Sequence, residues 1–254
     1  MTSASGSDDP FADDVAVVTG GTRGIGRAIA ERLAAAGATT VATYAGDDRA
    51  AAETERALQE SGSECAVRRF DVRDFDAVAA AFGAIRDEFG PPSVLVNNAG
   101  VMRNGLLVRM DPGDWHEVLD TNLTGTFHCT REAARLMLRA GGGRIVNVSS
   151  VAAQRGWPGQ VNYAASKAGI LGLTRAAARE LGGRSIRVNA VCPGYVDTDL
   201  YRSELADADG VPEEIPADRV ADPEEVAEAV RFLAGDESSY VNGEVLRVDG
   251  GLLG

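Results

Sequence analysis

Tyr163 and Lys167 stand four residues apart in Asn162-Tyr-Ala-Ala-Ser-Lys-Ala-Gly169, ahead of an Ala-rich run that predicts a helix to about Leu181. Residues i and i+4 share one helix face, with Cβ atoms about 5–6 Å apart. A phenol normally titrates near ~10. A neighbouring ammonium favours the phenolate and lowers that value. The pair is therefore a device for moving a proton near neutral pH. A further hydroxyl, Ser150, closes the apolar run of residues 143–150, which reads as a strand. Open α/β sheets bind ligands beyond the C-terminal ends of their strands, so Ser150 stands where a substrate would lie. Ser149 is its structural rival. Spacing alone also fits an ordinary surface pair, and the elements around it decide between the two.

A phosphate site is legible near the N-terminus. Residues 15–19 form a short β-branched apolar run and read as a buried strand. Thr19-Gly-Gly-Thr-Arg-Gly-Ile-Gly26 follows and runs into an Ala/Leu-rich helical pattern over residues 27–36. A glycine turn between strand and helix presents bare N–H groups and the positive helix end to a phosphate. Gly20, Gly24 and Gly26 depart from G-x-G-x-x-G spacing, but the same physics applies, with Thr22, Arg23 and Ile25 in the turn. Residues 37–43 read as a second strand, its end near an adenosine ribose. Thr43, Tyr44 and Ala45 stand there in place of the carboxylate that would bond a 2′-hydroxyl and repel a 2′-phosphate. With Arg23 supplying positive charge, the expected cofactor is NADP. Asp47 and Asp48 stand close enough to compete.

The elements that position these residues alternate. Helical patterns cover residues 48–61 and 74–89, with strands at 64–70 and 93–96. Asp71 and Val72 end the third strand, beside the adenine. Asn97-Asn-Ala-Gly100 ends the fourth, where Asn97 reads as a structural amide and Ala99 and Gly100 allow a sugar close approach. Residues 111–140 read as one long helix containing Asn122, an amide that a helix interior does not favour. Arg131, Arg135 and Arg139 share one face of it, either as a dock for an acidic carrier or as a solvated or subunit face. Residues 151–161 read as a loop across the site, in which Arg155, Trp157 and Gln160 face substrate. Strands at 185–192 and 243–248 and a capped helix at 222–234 complete the pattern. Alternation of this kind predicts an α/β fold, a doubly wound parallel sheet flanked by helices.

Composition narrows the function. The chain has 254 residues and a net charge of −13, which disfavours nucleic acid and anionic membranes as partners. Three cysteines without C-x-x-C spacing argue against a disulfide framework or zinc site and fit a reducing cytoplasm. His116 and His128 make a poor metal pair, so no metal is expected. No stretch reaches the roughly 18 apolar residues of a membrane helix. Residues 1–13 read as a mobile acidic tail and 14–254 as one catalytic domain. Residues 199–220, rich in Asp, Glu and Pro, read as a substrate lid.

The set Thr19-Gly-x-x-x-Gly-Ile-Gly26, Asn97-Asn-Ala-Gly100, Asn122, Ser150, Tyr163-x-x-x-Lys167 and Pro193-Gly194 resembles the short-chain dehydrogenase/reductase family. The likeness runs from about residue 15 to residue 251. Asn98-Ala-Gly-Val-Met-Arg-Asn-Gly, Gly159-Gln-Val-Asn-Tyr163 and Asp222-Pro-Glu-Glu-Val-Ala227 resemble its 3-oxoacyl-[acyl-carrier-protein] reductase branch.

The resemblance implies a single Rossmann-type domain with about seven strands and a catalytic set of Asn122, Ser150, Tyr163 and Lys167. It implies that Asn98, Pro193, Gly194, Val196 and Thr198 meet the cofactor, that Lys167 also binds its ribose, and that Asn122 holds a relay water. It also implies a homotetramer. The function so expected is reduction by NADPH of a small-molecule carbonyl, a 3-oxoacyl or polyketide-like thioester, carrier-bound or free. A secondary-alcohol, sugar or steroid dehydrogenase is the second reading, and a catalytically silent dinucleotide-binding regulator the third.

Overall fold

The computed structural model describes residues 9–204 and 214–254. Short runs of Val, Ala, Ile and Leu form seven strands: β1 (Val15–Val18), β2 (Thr39–Tyr44), β3 (Cys65–Arg69), β4 (Val94–Asn97), β5 (Gly143–Val148), β6 (Ile186–Pro193) and β7 (Val245–Val248). They pair in parallel as one sheet in the order β3-β2-β1-β4-β5-β6-β7. The winding reverses at β1, which pairs with both β2 and β4. A crevice therefore opens beyond the C-terminal ends of β1 and β4, where such sheets bind ligands.

Alternation along each strand builds two cores, one per face. Ala16, Val18, Val94, Val96 and Val146 pack under α1 (Gly24–Ala34), with Leu58 of α2 (Asp48–Glu60) and Val226, Val230 and Leu233 of α9 (Pro223–Ala234). Val15, Val17, Leu95 and Ile145 face the other way. They meet α3 (Phe75–Phe89), α5 (Gly125–Ala140) and α7 (Val161–Leu181) through Phe82, Met137 and Ala178. Both faces are covered, so the strands read as apolar runs.

Part of the tail expected over residues 1–13 is built into the fold. Residues 1–8 lie outside the described residues, but Phe11 is 1% exposed and packs in the core beneath α1. Its N–H donates to the Ala36 carbonyl at 3.0 Å. An isolated aromatic in an acidic stretch carries no periodicity, so its docking is not visible locally. Phe11→Ala is expected to cost about 3–5 kcal/mol, read as a lower urea midpoint with an unchanged circular-dichroism spectrum.

The long helix expected over residues 111–140 is interrupted. α4 (Pro112–Leu119) passes into a π-helical turn, Asp120–Thr124, before α5 begins. Such turns insert a residue into the helix and re-aim what lies on it. Here the inserted turn carries Asn122. The helix resumes at Gly125 close against the loop after β3: a Cβ there would stand 2.5 Å from Val72 Cγ2.

Candidate active site

One groove runs along the C-terminal end of the sheet in two compartments that share Ile25, Asn98, Gly100 and Thr198. The first is built on the glycine turn. Gly20 (φ 61°) and Gly24 (φ 49°) take left-handed backbone that a side chain would strain. A Cβ on Gly26 would stand 2.1 Å from the Gly20 carbonyl oxygen. No side chain caps the N-terminus of α1 and no acidic residue lies in its first turn. By contrast Asp47, Asp74 and Asp111 each cap the helix that follows them. The end of α1 is thus left bare for an anion. These features fit a dinucleotide phosphate.

Thr22, Arg23, Thr43, Tyr44, Asp71, Val72, Ala99 and Gly100 all line this compartment with the glycines. Arg23 stands 3.6 Å from the Asp47 carboxylate. The Tyr44 hydroxyl donates to Asp48 at 3.0 Å, a bond that holds its proton on and raises its pKa. Asp71 accepts from Arg73 at 2.6 Å, which draws its carboxyl below the usual range. The strand end has no carboxylate at positions 43–46, yet Asp47 lines the groove just beyond it. Asn98 works from behind: its amide donates to the Thr19 and Gly20 carbonyls at 3.1 and 3.0 Å and locks the glycine turn. Asn97 is the structural amide expected, bonded to Asn147 at 2.8 Å and Thr130 at 2.9 Å.

The second compartment gathers Ser150, Tyr163 and Lys167 with Pro193, Gly194, Val196 and Thr198. Lys167 is 4% exposed; its Nζ donates to the Val148 carbonyl at 2.9 Å and lies 5.6 Å from the Tyr163 ring centre. Burial draws its pKa down from 10.5 to about 8. The Ser150 oxygen accepts from the Ala152 N–H at 3.1 Å, which aims the hydroxyl. Ser149 is buried and donates to the Lys167 carbonyl at 2.9 Å, a structural bond to α7.

Asn122 is fully buried, and its amide is committed. It accepts from the Val101 N–H at 2.8 Å, donates to the Val101 carbonyl at 3.0 Å and donates to Ser166 Oγ at 3.0 Å. Ser166 in turn donates to the Tyr163 carbonyl at 2.8 Å. Asn122 thus ties the loop after β4 to the turn of α7 that carries Tyr163. A Cβ on Gly100 would lie 3.2 Å from Asn122 Oδ1 and 3.5 Å from Lys167 Nζ, so both groups border one small space.

Beyond the reacting groups, Trp157 and Gln160 line the groove as expected positions, but Arg155 does not. Its guanidinium pairs with Glu214 at 2.8 Å and covers the Trp157 ring at 5.1 Å. A distant carboxylate claims it, which no local pattern reveals. Met102, Tyr195 and Tyr201 line the same end and were not foreseen. Their signal was adjacency: Tyr195 follows Pro193-Gly194, and Met102 follows Asn97-Asn-Ala-Gly100 closely. A stronger signal lies in composition, since Lys167 is the only lysine among 25 basic residues. Residues 205–213 of the expected lid lie outside the described residues; its first turn is α8 (Asp199–Glu204).

Among the described residues no cluster of His, Cys, Asp and Glu could hold a metal, and no helix is long and apolar enough to cross a membrane. His128 packs against Phe75 and Phe127, and its Nδ1 bonds the Val72 carbonyl at 3.0 Å. All three cysteines are free. Burial pushes the Cys129 thiol up to about 12 and raises Cys192, which makes both poor nucleophiles.

A family model described as enoyl-(acyl carrier protein) reductase matches residues 20–253. A 3-oxoacyl-[acyl-carrier-protein] reductase of Synechocystis is 44% identical over 94% of this chain and 96% of its own. An acetoacetyl-CoA reductase of Rhizobium meliloti is likewise 44% identical, over 93% of this chain and 97% of its own. Among solved structures, a levodione reductase superposes with a TM-score of 0.90 at 33% identity, covering 95% of this chain and 98% of that one.

Proposed function

The chain belongs to the short-chain dehydrogenase/reductase family of nicotinamide-dependent oxidoreductases acting on CH–OH and C=O groups, and we propose that it is an NADP-dependent ketoreductase. Its proposed substrate is a 3-oxoacyl or polyketide-like thioester. One observation carries the reading: Ser150, Tyr163 and Lys167 converge in a groove whose other compartment ends on the bare helix start of α1. A binding regulator needs no such set. The names of the two curated relatives support the substrate class.

When bound, the nicotinamide supplies the hydride. The glycine turn and the N-terminus of α1 would hold the pyrophosphate, and Arg23 the 2′-phosphate. Val196 and Thr198 would hold the carboxamide end, and Lys167 the ribose beside it. Ser150 donates to the carbonyl oxygen and stabilises the charge that develops there. Tyr163 gives that oxygen its proton, so C=O becomes CH–OH. The Lys167 ammonium favours the phenolate left behind. A water in the small space bordered by Asn122 and Lys167 would return the proton. Asn122 also positions Tyr163 through Ser166.

Reduced-cofactor oxidation at 340 nm tests this against 3-oxoacyl thioesters, secondary ketones and a 2-enoyl thioester. The expected result is NADPH-dependent reduction of the 3-oxoacyl thioester. A strong preference for NADH would overturn the role of Arg23, and turnover of the enoyl thioester alone would overturn the ketoreductase. The family also implies a homotetramer, for which light scattering should return four times the 26.5 kDa chain mass. Two of the three α5 arginines already share a carboxylate, which weakens that face as a dock for an acidic carrier. Arg131 and Arg135 both pair with Glu132, at 2.6 and 3.0 Å.

A further inference from the structure

We propose that the substrate bears a flat, uncharged ring, aromatic or cyclic, next to the reacting carbonyl, and that Trp157, Tyr195 and Tyr201 form its binding wall. This rests on the reductase reading above and names the group that its site selects.

Three rings run in sequence along the substrate end of the groove. Trp157 meets Tyr195 edge-on, with centroids 6.3 Å apart at 70°. Tyr195 meets Tyr201 at 5.6 Å and 59°. All three line the compartment that holds Ser150 and Tyr163. They come from separate segments: the residues after α6 (Ala152–Arg155, a short helix within the expected loop over 151–161), the turn after β6, and α8. The wall is also supported from behind. Buried Val151, Ile215 and Leu252 form a small core of their own, with Trp157 and Tyr195 packed against it. Aromatic faces and edges held in place this way favour another ring over a flexible chain, because ring pairs gain beyond their buried area.

Charge points the same way. Lys167 is the only cation lining this compartment among the described residues, and it is buried and bonded to Val148. Arg155, expected to face substrate, instead pairs with Glu214, which also accepts from the Tyr195 hydroxyl at 3.5 Å. A carboxylate or phosphate on the ring-bearing side would be desolvated without a partner. A short linear group would leave the groove-facing parts of the rings uncovered.

The test uses the purified full-length chain with NADPH and two 1,2-diketones that differ only in a phenyl for a methyl group: 1-phenyl-1,2-propanedione and 2,3-butanedione. The phenyl compound is expected to have a kcat/KM at least about ten-fold higher, the scale at which apolar pockets discriminate. Tyr195→Leu and Trp157→Leu should lower kcat/KM for the phenyl compound far more than for butanedione, mainly through KM. Tyr195→Phe keeps the ring and should keep the preference. Binding is read independently by quenching of Trp157 emission in a Trp115→Phe background with NADP⁺ present. Butanedione reduced as well as the phenyl compound, or both lowered equally in Tyr195→Leu, would overturn the wall while leaving the reductase intact. No reduction of any carbonyl would overturn the reductase reading and this proposal together.

Discussion

Tyr163→Phe is expected to lower kcat for carbonyl reduction by about 10²–10⁴-fold, the usual contribution of general acid catalysis. The substitution keeps the ring that lies 5.6 Å from Lys167 Nζ and removes only the hydroxyl. The backbone of residue 163 stays tied to Asn162, whose Oδ1 accepts its N–H at 2.7 Å. NADPH affinity, measured by cofactor fluorescence, should therefore change little. The loss should appear in the single-turnover rate, with the hydride step itself slowed. Ser150→Ala offers a comparison, since it removes charge stabilisation at the same oxygen without removing the proton donor. Near-normal single turnover in Tyr163→Phe would remove Tyr163 from the proton step.

The second large effect concerns Lys167, whose charge is sensitive to pH. Its folded pKa of about 8 lies below the ordinary 10.5 because burial disfavours the ammonium. Below about pH 8 the folded enzyme carries the charge; above it, the charge is lost. The reductive rate should therefore fall as pH rises through about 8, because the phenolate formed at Tyr163 loses its stabilising neighbour. Stability moves oppositely. Between about 8 and 10.5 the unfolded chain holds a proton that the folded chain has released, so stability rises with pH across that window. Below it both states are protonated and the burial penalty is constant. Because Lys167 is the only lysine, ¹⁵N-lysine labelling returns a single Nζ resonance, and its titration reads this pKa directly. A midpoint at the ordinary lysine value would refute the argument. Lys167→Met should depress kcat at all pH values and abolish the limb near 8.

Both predictions concern residues legible before any coordinates, and the reason is locality. Tyr163 and Lys167 face one way because i and i+4 share a helix face. The sequence by itself determined the alternating strands and helices, the glycine turn and the hydroxyl at the end of β5, because periodicity and turn chemistry act over a few residues. Asn122 was legible as an anomaly, an amide where a helix does not favour one, but the π-helical turn it sits in and its bond to Val101 were not. Only the tertiary structure decided contacts between segments far apart in the chain. Phe11 docks under α1, Glu214 takes Arg155 off the groove, and Trp157, Tyr195 and Tyr201 meet from three separate segments. Burial of Lys167, and with it the pH at which the enzyme changes charge, likewise belongs to the packed sheet. A pKa depends on the dielectric and the charges around a group, and those come from the whole fold.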